Sequence, residues 1–91
     1  HRPNQHPIGQ TLAFRVTGPP PKTAGAWGTT VYTLDSRLAV AAVHAGVLES
    51  GQTATVRVIV LGPQPAFQAS NQNGITSSPY GAYPGYQILP R

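Results

Sequence analysis

The chain has 91 residues, enough for one small domain. Charged residues make up only 9%, against roughly 25% in an average soluble domain, and ten Gly and ten Pro stand where charge is usual. The formal charge is +4 because acids are scarce, two against six Lys and Arg, and no basic cluster is interleaved with aromatics, so nucleic acid is not an expected partner.

Residues 1–9 hold two prolines and little apolar content. They read as an extended arm, ending at Ile8 and Gly9, ahead of a single domain over 10–91. A terminal His1 with His6 raises a copper-chelating arrangement, but nothing else in the chain supports one. No cofactor and no metal are expected.

Residues 10–17 alternate Leu12, Phe14 and Val16 with polar neighbours, a period of two that predicts a strand. The run Gly18 to Gly25 is a proline-stiffened loop. Trp27 to Thr33 is rich in β-branched and aromatic residues and predicts a short strand. Asp35 or Ser36 then caps a helix running to about Ala45. Gly46 supplies the left-handed residue that ends it. Leu38 to Val43 is apolar all round, so the helix is expected to be buried on most sides.

Thr53 to Leu61 is the strongest strand pattern. Its two faces both end apolar, which predicts an interior strand, stopped by Gly62-Pro63. Ala66 to Ser70 is a weaker strand candidate. Asn73-Gly74 predicts a hairpin turn, with Ile75 to Ser78 pairing back. The tail carries Tyr80, Tyr83 and Tyr86 between Gly and Pro, then a strand candidate at Gln87 to Leu89. No run is long enough and apolar enough to span a membrane. The first residue is His1, so the expectation is a processed chain.

Two blocks resemble a known family. The first runs Trp27-Gly28-Thr29, then Tyr32-Thr33-Leu34-Asp35-Ser36, then Ala41-Ala42-Val43-His44-Ala45-Gly46. The second is Asn73 to Gly81. Together they resemble the LCCL domain, an extracellular module. The resemblance implies an α+β fold, one short central Ala-rich helix wrapped by about five or six strands. It also implies a cysteine where Ala39 stands, yet the chain has no cysteine. The missing staple must be replaced by packing, loop prolines or neighbouring chains.

Asp35, Ser36 and His44 do not make a catalytic triad. Eight residues of helix separate Ser36 from His44 by roughly 12 Å, whereas a base must lie within about 3 Å of its nucleophile. His44 is expected instead to be partly buried, bonding backbone or a tyrosine hydroxyl near the helix end. The chain is therefore read as a non-enzyme, an extracellular or cell-surface interaction module.

Two modes of action follow. In one, the chain is a self-assembling subunit of a homo-oligomer or filament. Its N-terminal arm adds a strand to the next copy, anchored by Ile8, Leu12, Phe14 and Val16. In the other, a monomer binds glycans or lipopolysaccharide. Trp27, His44, Tyr80, Tyr83 and Tyr86 are the candidate ligand or interface residues, since Tyr and Trp combine an apolar body with a polar tip.

Overall fold

A computed structural model describes residues 8–90. Arm residues 1–7, with His1 and His6, lie outside the described residues. The elements run β1 (Thr11–Thr17), β2 (Gly28–Thr29), β3 (Val31–Thr33), α1 (Leu38–Ala45), β4 (Thr53–Gln64), β5 (Asn71–Gln72), β6 (Ile75–Thr76) and β7 (Tyr83–Ile88). Five strands form one antiparallel sheet in the order β1-β4-β7-β3-β2, and β5 and β6 form a separate hairpin. The helix packs between them, touching β1 and β7 on one side and β5 and β6 on the other. The chain is an α+β domain with its one described helix at the centre.

The alternation in β1 does what period two requires. Leu12, Phe14 and Val16 are half-buried against the core, while Thr11, Ala13, Arg15 and Thr17 are exposed. Val56, Val58 and Val60 of β4 are fully buried and share one core cluster with Val40 to Val43 of the helix. Tyr86 and Ile88 of β7 pair with Val60 and Val58 and complete that face. The alanines at 41 and 42 have no exposed surface, so the helix backbone lies close to its neighbours.

Both helix ends are set by named residues, but only one as expected. Gly46 closes the helix at φ 85°, and the Gly46 and Val47 N–H groups bond the Val43 and Ala42 carbonyls, a Schellman ending. At the start, neither Asp35 nor Ser36 caps. Arg37 is the flanking residue and no side chain bonds the first turn. The Ser36 hydroxyl is already committed to Thr33 and to the Trp27 backbone. Asp35 is exposed in the preceding turn.

Four strand expectations change. Trp27 to Thr33 is not one strand but a tight hairpin, because Thr30 at φ 69° reverses the chain between β2 and β3. Strand β4 does not stop at Gly62-Pro63. Pro63 sits opposite Pro84, where neither residue has an N–H to leave unpaired, and a register shift after Leu61 carries the strand on to Gln64. Ala66 to Ser70 is not a strand; Phe67 alone bridges to Tyr80. The tail strand begins at Tyr83 rather than Gln87 and lies inside the sheet, between β4 and β3. The Asn73-Gly74 hairpin forms as read, with φ of 54° and 81° at the two turn residues.

Candidate functional site

His44 is 0% exposed and is bonded at both ring nitrogens. Nδ1 lies 2.8 Å from the Tyr32 hydroxyl. Nε2 lies 3.1 Å from both the carbonyl oxygen and the hydroxyl of Ser70. A carbonyl only accepts, so Nε2 carries the hydrogen and Nδ1 accepts from Tyr32. The chain of donors then continues in one direction. Ser70 donates to Thr29 (2.6 Å) and Thr29 donates to the Gln68 carbonyl (2.9 Å). The ring also meets Tyr32 edge-on, with centroids 5.6 Å apart.

This network ties β3, α1 and the segment before β5 into one unit. It also decides what Ser70 can do. A nucleophilic serine needs a lone pair on the histidine nitrogen it faces. Here that nitrogen holds the hydrogen, so the pair does not activate Ser70. The expectation for His44 offered backbone or tyrosine as partner; the structure supplies both. Ser70 was not foreseen, because it lies 26 residues from His44 with no motif linking them.

A second network builds the turn ahead of the helix. Ser36 Oγ lies 2.8 Å from Thr33 Oγ1 and accepts from the Trp27 N–H at 3.0 Å. The Tyr86 hydroxyl donates to the Ser36 carbonyl at 3.2 Å. Gly28, at φ 118°, lets its own N–H reach the Ser78 carbonyl at 3.1 Å. At the far end of the helix, the Asn73 amide donates to the His44 carbonyl at 3.0 Å. The residues of the two sequence blocks thus meet around one helix.

The LCCL domain family model matches residues 5–85. The chain belongs to the LCCL family. The match covers most of the chain, and an LCCL domain is an interaction module of extracellular proteins. No curated protein matches the chain. In this LCCL domain the signature residues act inward: Tyr32, Thr33, Ser36 and His44 are all buried. Ala39, where the resemblance places the family's helix cysteine, is half-buried.

Burial also sets how the domain responds to alkali. The Tyr32 phenol is pushed up from 10.0 to about 12 by burial. Tyr86 is pushed up further, first by burial and then by the nearby Tyr32 and Asp35. Folding therefore favours the neutral phenols. Their stabilisation is complete below pH 10 and is lost as pH rises towards the folded value. Each should remove about 1.4 kcal/mol per pH unit above 10. Thermal midpoints from pH 9 to about 12, read beside tyrosinate absorbance, should fall steeply above 10. Tyr86→Phe should flatten the slope; an unchanged slope refutes the assignment.

The surface residues separate into distinct groups. His44 and Tyr86, at 0% and 1% exposed, belong to the core. Trp27 is half-buried, with its backbone bridged to Ser78. Tyr80 is 46% exposed and stands edge-on to Tyr83, with centroids 5.4 Å apart. Tyr83 lines an open cleft of about 390 Å³ with Ile8, Leu34, Leu61, Pro63 and Pro84. Ile8 is 70% exposed. Leu34 also borders a cleft of about 310 Å³ between β1 and the helix start, lined by Phe14, Val16, Leu38 and Tyr86.

Leu12, Phe14 and Val16 are occupied within the chain. Strand β1 pairs with β4 from Thr11↔Ile59 to Thr17↔Thr53. Just before it, Gly9 at φ 87° donates to the Val60 carbonyl while the Val60 N–H bonds the Gln10 carbonyl, a glycine bulge that sets the register. Among the described residues no strand pairs with the outer edge of β1. No group of three metal-ligating side chains occurs among them, and no helix is long and apolar enough to cross a membrane.

Proposed function

We propose that this LCCL domain is a non-catalytic binding module that takes a sugar at the Tyr80–Tyr83 cleft. The observation that carries this reading is the exposed Tyr80 ring set edge-on to Tyr83 beside an open cleft. Two rings at right angles (86°) make a corner. The apolar face of a pyranose fits against one ring while its hydroxyls reach the phenol tips. Lipopolysaccharide is a natural candidate, since it carries sugars outside the cell.

A second reading, a self-assembling filament subunit, is favoured by the edge position of β1. The contacts that Leu12, Phe14 and Val16 make with β4 are the same whether β1 belongs to this copy or to the next. The proline-stiffened loop from Gly18 to Gly25 would then be the hinge.

One experiment separates the two. The chain has no cysteine, and the Thr17 and Thr53 hydroxyls lie 2.7 Å apart across β1 and β4. Oxidised Thr17→Cys/Thr53→Cys protein should run as a covalent monomer and still bind on a glycan array or in a lipopolysaccharide titration. Tyr80→Ala should weaken that binding by about tenfold. A covalent ladder on a non-reducing gel, with no saturable sugar binding, overturns the module reading in favour of strand exchange.

A further inference from the structure

We infer that the outer face of β1 and β4 binds an acidic polysaccharide through Arg15, Thr55 and Arg57. This surface uses none of the residues that line the Tyr83 cleft and does not depend on the sugar site there.

The register places the three side chains together. Arg15 pairs directly with Thr55, and Arg57 is two residues further along β4, opposite Ala13. Directly opposed residues share a face, and so do residues two apart on one strand. The guanidiniums are therefore diagonal neighbours, their Cβ atoms roughly 7 Å apart, with the Thr55 hydroxyl between them. All three side chains are exposed. Among the described residues, Arg57 donates from Nη2 to the Pro90 carbonyl at 3.0 Å. That leaves the rest of its fork of donors for a ligand.

Charge complementarity names the occupant. The only two acids, Asp35 and Glu49, lie in turns outside the five-stranded sheet. Two like charges side by side on a sheet repel each other. A bound sulfate or carboxylate would relieve that repulsion and accept from both guanidiniums. Around them the face is a hydroxyl surface, with Thr11 and Thr17 on β1 and Thr53 on β4, all exposed.

The same face excludes the other common polyanions. The aromatic ring on its far half, Phe67, is buried and offers no surface on which a base could stack. The large apolar neighbours of Arg57, Ile59 on β4 and Leu89 just after β7, are half-buried, so neither stands out of the face to enter a lipid layer. Ala13 lies opposite Arg57 and keeps the approach flat. A flat strip of hydroxyls and paired guanidiniums, about 20 Å along β1, fits an extended chain of sugars carrying acidic groups. Phe67 covers the other half of this sheet face, where its ring stands 3.2 Å from the position a Cβ on Gly85 would take. The arginine half is left open.

The test is titration of the full chain with dextran sulfate, using uncharged dextran as reference. Arg15→Gln/Arg57→Gln should weaken binding roughly tenfold, and Arg15→Gln alone roughly threefold. Lys22→Gln/Arg37→Gln removes the same charge elsewhere and should change affinity less than about twofold. Unfolding midpoints of all variants show whether each is folded. Should the double arginine variant fail to fold, the comparison of Arg15→Gln with Lys22→Gln decides alone. Equal losses in both sets would reduce the binding to net charge and overturn the site. Tighter binding to vesicles of anionic phospholipid than to dextran sulfate would overturn the polysaccharide. Loss of Tyr80 should leave dextran sulfate binding intact, so failure of one surface is distinguishable from failure of the other.

Discussion

His44→Ala is expected to destabilise the domain by about 3–5 kcal/mol. The side chain is fully enclosed, so its removal leaves a cavity. It also strips the buried Tyr32 hydroxyl of its acceptor at 2.8 Å and takes one donor, at 3.1 Å, from the Ser70 carbonyl, which keeps the Ser77 N–H at 2.8 Å. Each buried polar group left without a partner costs about 1–3 kcal/mol. A domain this small has a total stability of only about 5–10 kcal/mol, so the variant should be largely unfolded in mild urea. Tyr32→Phe alone removes one bond and should cost about 1–2 kcal/mol. In a double-mutant cycle, His44→Phe with Tyr32→Phe should be less damaging than the sum of the singles, because both partners are then apolar. A urea titration showing His44→Ala within about 1 kcal/mol of the parent would remove the network from any account of this fold.

Gly28→Ala should cost about 3 kcal/mol or more, for a different reason. At φ 118° the backbone is in a region that side chains rarely tolerate. A Cβ there would overlap the Val31 carbonyl oxygen and stand 3.0 Å from the Phe67 ring. The first is backbone of the hairpin partner and cannot swing aside. Gly46→Ala is the natural comparison. Its φ is 85°, but the nearest neighbour of a new Cβ is the Asn73 amide nitrogen at 3.3 Å, the tip of a movable side chain. It should cost only about 1 kcal/mol. Thermal unfolding should lower the midpoint of Gly28→Ala by about 12 °C or more and that of Gly46→Ala by about 4–8 °C. Equal shifts would mean that φ, not the steric approach to Val31, sets the cost. The family's Trp-Gly-Thr block is in this sense a statement about backbone clearance.

The helix, its glycine stop, the two strongest strands and the Asn-Gly hairpin were legible in the chain because each is a local pattern. Alternation along 11–17 and 53–61 needs no partner to be read. A left-handed stop at Gly46 and a two-residue turn at Asn73-Gly74 depend on neighbours in sequence. The two motif blocks pointed to the LCCL family for the same reason. Where a side chain's role depended on a distant partner, local pattern was silent or misleading. Ser36 looks like a helix cap until the Trp27 backbone, nine residues back, takes its hydroxyl. Pro63 looks like a strand end until Pro84 sits opposite it. Tyr80, Tyr83 and Tyr86 look alike along the tail, yet pairing of β7 between β4 and β3 buries the last and leaves the first exposed. Arg15 and Arg57 lie 42 positions apart (57 − 15) and become neighbours only through the β1–β4 register, which the Gly9 bulge sets. Short-range backbone preference and hydrophobic period are written in consecutive residues. Pairing, burial and the direction of a hydrogen bond are settled only when the chain closes on itself.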